Sequence, residues 1–311
     1  PYLYDRSYQV PGLLGKPLRH LNEEIFVHRT RQEATEILTE SDLVLTTGRP
    51  ILTRLRSSSN CILFHAVRGR VNPLYDRYLT AADGLVFWGG CEAEYDNEGV
   101  LSQPQVTLNP AVDTDLFFPR ETTDSAVPYS TNERIVLSFV GRLEKVKRID
   151  RIIDAVAALD EEFVLALVIV GDGSQREALE SRTEEMLTGT PTHFLGQVSQ
   201  EAVSLHLNAA DLFVMASRME NHPIALKEAL ACGTYAVAPD IGRISSIVTP
   251  DTGRVFRDNT TEGLTAALRE TIRTGEHRSL SRTERAAKFE GWEANAKAII
   301  ELYERLAQDR T

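Results

Sequence analysis

The chemistry this chain can do rests on two carboxylates and a small group of cations. Glu220 and Glu228 stand eight positions apart in SRMENHPIALKEALACG, residues 217–233. Pro223 lies between them and favours the first helical position, because its fixed φ suits a helix and its missing N–H is not needed there. Glu220 is therefore expected in the loop before a helix and Glu228 about a turn and a half inside it, with Asn221 or His222 as cap and Gly233 as stop. Amides around Pro223, Ile224 and Ala225 would offer donors to a phosphate, and the carboxylates would accept from sugar or ribose hydroxyls. On spacing alone the pair serves equally well as acids that merely favour a helix N-terminus, an effect of about 0.3–1 kcal/mol.

The cations lie in SFVGRLEKVKRIDRII, residues 138–153. Gly141 closes a strand, Arg142 follows it, and Lys147 and Arg148 fall in the next turn or at a helix start. Cations and free amides at one strand end suit a diphosphate, whereas a solvated basic helix start would be opposed by the helix dipole. In VIVGDG, residues 168–173, Gly171 and Gly173 permit a sharp turn after a strand. The segment lacks the spacing of a dinucleotide fingerprint or a P-loop, so neither NAD nor ATP hydrolysis is indicated.

The elements that must position these residues alternate between short apolar runs and helical segments, the pattern of βα units and parallel sheets. DLVLTT (from 42), CILFHAV (from 61), GLVFWG (from 84) and QVTLNPAVDTDLFFPR (105–120), the last leaving through Asn-Pro, are strand candidates, with EEIFVHRTRQEATEILTES and NPLYDRYLTAAD as helices. The polar, turn-rich stretch 121–133 reads as a linker. Beyond it the rhythm restarts with RIVLSFVG, a helix to Leu159, FVLALVIVGDG, the helix SQREALESRTEEML, THFLGQ, the helix QEAVSLHLNAA, DLFVMAS, the helix of the opening stretch, and YAVAPD. Such continuous apolar runs fit strands covered on both faces. The expected fold is α/β, with two doubly wound, Rossmann-like domains facing a cleft: residues 1–122, residues 123–290, and a C-terminal helix in 291–311. Ligands of such sheets bind outside the carboxyl ends of the strands.

Composition narrows the function further. At 311 residues, 42% hydrophobic and 25% charged, the chain can fill one large core or two of ordinary size, and two domains are expected. A net charge of −11 disfavours a nucleic acid as partner. Six lysines against 28 arginines, with acid in excess, fit a salt-rich cytoplasm or plain compositional drift. Cys61, Cys91 and Cys232 are far apart and outside any CxxC pair, so core thiols are expected rather than disulfides or a zinc site. No apolar run reaches the roughly 18 residues that span a bilayer, and no basic-then-apolar leader opens the chain. A soluble cytoplasmic protein is the expectation.

Taken in order, Arg142 and Lys147, VGDG, FLGQV, Glu220 and Glu228 with EALACG, then APDIGRISSIV and TGRVF resemble the retaining GT-B fold glycosyltransferases of family 4. The likeness runs from about Asn109 to Phe256. It implies that Gly141, Arg142 and Lys147 hold a donor diphosphate beside Gly171, that Glu228 takes the ribose hydroxyls, and that Glu220 takes the transferred sugar. Asn221, His222, Pro223 and Ile224 would support sugar and phosphate, and Gly196 to Val198 would border the base. His65, at the end of CILFH, corresponds to a histidine near the reacting sugar. LNPAVDTDLF resembles the usual asparagine-glycine-valine-aspartate segment, with Pro110 and Ala111 altering its turn. No metal and no cofactor beyond the nucleotide-sugar co-substrate are implied by the resemblance; the one Asp-x-Asp, Asp113-Thr114-Asp115, falls inside LNPAVDTDLF. The acceptor would be a glycan, a lipid-linked hydroxyl or a small molecule, with peripheral contact at the inner membrane face where it is lipid.

The sequence also departs from the pattern. RMENHP lacks the glycine common after the first glutamate, and Arg243 replaces a second glycine, which implies a narrower or differently charged sugar pocket. The opening PYLYDRSYQVPGLLGKPLRH shows no strand followed by a glycine-rich loop, and residues 1–122 are short for a first domain of this fold. A catalytically silent sugar-nucleotide-binding subunit is therefore the alternative. A glycan phosphorylase would need a lysine for pyridoxal phosphate, and Lys227 fits poorly because its helix neighbours match the transferase motif. The terminal helix, apolar at Ala298, Ile299, Leu302 and Leu306, would cross back to the first domain.

Overall fold

The computed structural model describes residues 43–47, 62–67, 79–88, 102–108, 111–121, 127, 129, 133–220, 223–289 and 291–308. The chain divides into two compact units, one formed within residues 1–110 and 293–311, the other by Ala111–Trp292. The first holds a four-stranded sheet in the order β1 (Leu43–Thr47), β2 (Ile62–Val67), β3 (Gly84–Trp88), β4 (Gln105–Leu108). All three pairings are parallel. The helices expected before β1 and between β2 and β3 lie in sequence outside the described residues, apart from the end of the second.

The second unit carries six strands: β5 (Ile135–Val140), β6 (Leu165–Val170), β7 (Thr192–Gly196), β8 (Leu212–Val214), β9 (Tyr235–Pro239) and β10 (Gly253–Phe256), in the spatial order β10-β9-β8-β5-β6-β7. Every ladder is parallel. Between them run helices α1 (Ile149–Ala157), α2 (Arg176–Met186), α3 (Gln200–Ala209), α4 (Ile224–Ala231), α5 (Ile244–Ile247), α6 (Thr261–Thr274) and α7 (Arg282–Ala286); α8 (Trp292–Gln308) ends the described chain.

The apolar runs are continuous because both sheet faces are covered. Along β6, Leu165, Leu167 and Ile169 enter one buried cluster, while Ala166, Val168 and Val170 enter another, as the two-residue period of a strand requires. On the first face α1 presents Ile149, Ile152, Ile153 and Val156, a helical stripe, together with Leu179 of α2 and Leu264 and Leu268 of α6. On the opposite face Leu207 of α3 and Leu226 and Leu230 of α4 pack on Phe213, Ala236 and Ala238.

The strand of QVTLNPAVDTDLFFPR ends at Leu108, ahead of Asn-Pro as expected; farther on, Asp113 turns the chain, its carboxylate accepting from the N–H of Asp115 and its carbonyl from that of Phe117. Val112 and Phe117 then pack into the core of the second unit, so that unit begins ahead of the 122/123 boundary expected from the linker. GRVF, residues 253–256, adds the edge strand β10 beyond the apolar runs that announce the other strands. In the first unit, Leu302 and Leu306 of α8 pack with Val86 and Leu108. Cys232 is buried as expected, its thiol pushed up to about 11 chiefly by burial; Cys61 and Cys91 lie outside the described residues. No helix among these residues is long and apolar enough to cross a membrane.

The strand ends are joined at close range. Gly141 N–H donates to the carbonyl of Val170 at 3.0 Å, and Gly171 N–H to that of Gly196 at 2.8 Å. Gly171 adopts φ 129°, and a Cβ there would stand 1.9 Å from the carbonyl oxygen of Gly141. Gly171→Ala should cost more than about 3 kcal/mol in urea unfolding, because main chain must move. Gly275→Ala is the control: it shares a left-handed φ of 70° but meets nothing within 4 Å, so about 1 kcal/mol is expected.

Candidate functional site

β5 and β8 are parallel neighbours, with Leu137 opposite Leu212 and Ser138 opposite Phe213. From β5 the sheet continues to β6 and β7, and from β8 to β9 and β10. Strand order therefore reverses between β5 and β8, and a doubly wound sheet opens its crevice at that reversal, beyond the carboxyl ends. The loops leaving these two strands carry the candidate residues.

After β5 the chain passes Gly141 and the exposed Arg142, then buries Leu143. Leu143 is clasped by main chain: its N–H donates to the carbonyl of Asp172 and its carbonyl accepts from Gln175, both at 2.9 Å. A single 3₁₀ turn, Lys145–Lys147, follows. Arg148 then takes φ 52° and ψ 45°, and among the described residues no other non-glycine has a positive φ. That left-handed residue ends the turn and redirects the chain into α1, while its guanidinium grips Asp150 at 2.9–3.1 Å.

The loop after β8 meets this turn twice. Arg218 N–H donates to the Val146 carbonyl at 2.8 Å. Lys147 Nζ donates to Glu220 Oε1 at 2.6 Å, and Ser217 Oγ donates to the same oxygen at 2.7 Å. The Glu220 side chain is 9% exposed and that of Lys147 24%. An ion pair so withdrawn from water is strengthened by weak screening, and removing one partner strands the other.

α4 begins at Ile224, with Pro223 as N-cap at φ −70° and ψ 98° and no side-chain cap bond. This corrects the expectation that Pro223 opens the helix: its ψ is extended, so it stands just outside the first turn. Asn221 and His222 lie outside the described residues. Gly233 does stop the helix. Its N–H donates to the carbonyl of Leu230 and that of Thr234 to Ala229, with Gly233 at φ 69°. Burial pushes Glu228 up to about 6. Lys227, 3% exposed, is brought down to about 8 by burial and then by the charge of Arg243.

The structure thus brings together Lys147 and Glu220, with Gly141 and Arg142 on the same loop as Lys147. It sets Gly141, Gly171 and Gly196 side by side at the ends of β5, β6 and β7. Val198 packs against the cluster around Val136 and Val168. Among the described residues Glu228 enters no ion pair, and Ile224 is 58% exposed. His65 occupies β2 in the other unit, in register with Thr46 and Leu85. Sequence reasoning passed over Ser217, although the Ser-x-x-Glu spacing of a capping box marks it. It also passed over Asn259 and Arg151: Asn259 Nδ2 donates to the Ser217 carbonyl at 3.0 Å, and Arg151 Nη1 to Asn259 Oδ1 at 3.0 Å. No local spacing announces partners 42 and 108 residues apart.

Residues 121–288 match the family model described as glycosyl transferases group 1. The chain is 33% identical over 215 residues to a GDP-mannose-dependent alpha-(1-6)-phosphatidylinositol dimannoside mannosyltransferase of Mycobacterium tuberculosis, covering 68% of this chain and 55% of the relative. It is 28% identical over 258 residues to a D-inositol 3-phosphate glycosyltransferase of Kineococcus radiotolerans, covering 75% and 59%. The chain therefore spans a little over half the length of these curated relatives. A solved sucrose-phosphate synthase from Thermosynechococcus elongatus shares the fold, with a TM-score of 0.70 at 19% identity over 95% of this chain and 81% of that one. The fold class is accordingly GT-B, with Rossmann-like α/β domains.

Glu228 generates a stability test. Its ordinary value is 4.5 and its folded value about 6, so between these the native state binds more protons than the unfolded chain. The stabilising contribution is present at low pH and is lost as pH rises through that window. Wild type should lose on the order of 2 kcal/mol relative to Glu228→Gln between about pH 4.5 and pH 7, measured by urea unfolding of both proteins.

Proposed function

The chain belongs to the glycosyl transferases group 1, and from that membership we propose that it transfers a sugar from a nucleoside-diphosphate sugar to an acceptor hydroxyl, with retention at the anomeric carbon as in family 4. The observation that carries this reading is the Lys147–Glu220 contact at the β5/β8 reversal, which sets a cation for phosphate beside an acceptor for hydroxyls.

In this scheme Arg142 and Lys147 take the diphosphate, and Glu220 takes hydroxyls of the transferred sugar. Glu228 accepts from the ribose, where hydroxyl donors would relieve its burial. The backbone from Asn221 to Ile224 supports sugar and phosphate, Gly196 to Val198 border the base, and His65 takes the histidine role that the resemblance assigns it. As the bond between anomeric carbon and phosphate oxygen breaks, the electron pair leaves on the diphosphate, and the cations stabilise that charge. The acceptor oxygen bonds to the same face of the oxocarbenium-like carbon, and its proton passes to the departing oxygen. Positive charge from side chains lets the scheme run without a metal ion.

The Mycobacterium relative is named for GDP-mannose and a phosphatidylinositol dimannoside, and the Kineococcus relative for inositol 3-phosphate. GDP-mannose therefore leads the donor panel, and lipid-linked or phosphorylated polyols lead the acceptors. A lipid acceptor would place the protein peripherally at the inner membrane face.

A thermal-shift screen against nucleotide sugars tests the reading, since a ligand bound only by the native state raises the melting temperature. A donor that stabilises the protein and is turned over supports it; absence of any shift rejects it, and binding without turnover leaves a silent donor-binding subunit. Lys147→Ala should lower kcat of the folded protein roughly a hundredfold or more, and should also lower the unfolding midpoint, because it strands the Glu220 carboxylate. Unchanged turnover would remove Lys147 from the scheme.

A further inference from the structure

Among the described residues Glu220 receives two hydrogen bonds, and both fall on one oxygen. Lys147 Nζ and Ser217 Oγ converge on Oε1, at 2.6 Å and 2.7 Å. Oε2 has no partner among the described residues. The two donors differ in what they can do during turnover. On the reading above, the Lys147 ammonium is claimed by the leaving diphosphate. The Ser217 hydroxyl is fully buried, with 0% exposure, so it has neither solvent nor phosphate to turn to.

Ser217 is itself held from behind. Asn259, in the turn between β10 and α6, donates Nδ2–H to the Ser217 carbonyl at 3.0 Å. Arg151 of α1 donates to Asn259 Oδ1 at 3.0 Å and also to its main-chain carbonyl. One amide end faces a donor and the other an acceptor, so the orientation of Asn259 is determined from both sides. Two segments far from it in sequence thus brace one serine, and that serine holds one carboxylate oxygen.

We propose that Ser217 is a positioning residue, braced by Asn259 and Arg151, that pins Glu220 through Oε1 so that Oε2 is presented to the donor sugar after Lys147 turns to the diphosphate. This rests on the nucleotide-sugar reading and extends it. A hydroxyl that merely tied two loops together would affect stability alone. A positioning hydroxyl affects the part of donor recognition that comes from the sugar, because the nucleoside diphosphate is gripped without Glu220.

The test compares affinities for GDP with GDP-mannose, and for UDP with UDP-glucose, by calorimetry on the full chain, alongside donor kcat and KM. For whichever pair wild type binds, Ser217→Ala should hold the nucleoside-diphosphate affinity within about twofold and lose roughly tenfold or more in sugar-dependent affinity or kcat, the size expected of a hydrogen bond to a charged group. Ser217→Thr, which keeps the hydroxyl, should restore most of the loss. Asn259→Asp, which replaces the Nδ2–H donor by a carboxylate oxygen facing the Ser217 carbonyl while keeping an acceptor for Arg151, should give a loss of the same kind and carries the test if the serine variants do not fold. An unchanged diphosphate-to-sugar affinity ratio and kcat in Ser217→Ala and Asn259→Asp would overturn the positioning role while leaving the nucleotide-sugar reading intact. Wild type that binds none of the four ligands would overturn both.

Discussion

Lys147 and Glu220 neutralise each other across the seam between β5 and β8, and the other features of the site are arranged around that contact. A carboxylate with 9% of its side chain exposed would be costly without a counter-charge. In the free protein the lysine supplies it. A nucleotide sugar would offer phosphate to the lysine and hydroxyls to the glutamate, so binding would exchange one set of partners for another rather than leave either charge stranded. That exchange gives a reason for a cation and an anion to be paired where a ligand of mixed character is proposed to sit.

Such an exchange demands a rigid floor and loops that are anchored but not buried. The second sheet meets the first demand by covering both faces, with the α1 stripe on one side and α3 and α4 on the other. Main-chain bonds from Leu143 to Asp172 and Gln175, and from Arg218 to Val146, meet the second. The side chains at the strand ends are thereby placed by backbone, the most precise support a fold can give a site. α4 adds a different environment one and a half turns in, where desolvation raises Glu228 and, with the charge of Arg243, lowers Lys227.

Much of the second unit was legible because its signals are local. LALVIV is an uninterrupted apolar run and IVLSFV is broken only by Ser138, and each formed a strand. Gly233 stopped α4 where a left-handed residue was needed. β10 was missed for an equally local reason: GRVF is four residues long, carries an arginine and lies at the sheet edge, so it lacks the apolar signature of a central strand. Pro223 was placed one position too far in, since a φ near −65° is equally compatible with the N-cap, and ψ, which decides, leaves no mark on residue type. Ser217 stood in plain view three residues before Glu220, but its partner was the carboxylate rather than a helix amide.

What the sequence determined by itself is the alternation of strands and helices, and the presence of cations and carboxylates just beyond strand ends. Both follow from periodicity and backbone stereochemistry within a few residues. What only the tertiary structure decided is which of those residues meet. Lys147 and Glu220 are 73 residues apart, and Arg151 and Asn259 are 108 apart. Their contacts depend on β8 lying beside β5 rather than beside β7. Strand order is settled by how the helices cover both faces at once, and no single stretch of chain carries that information.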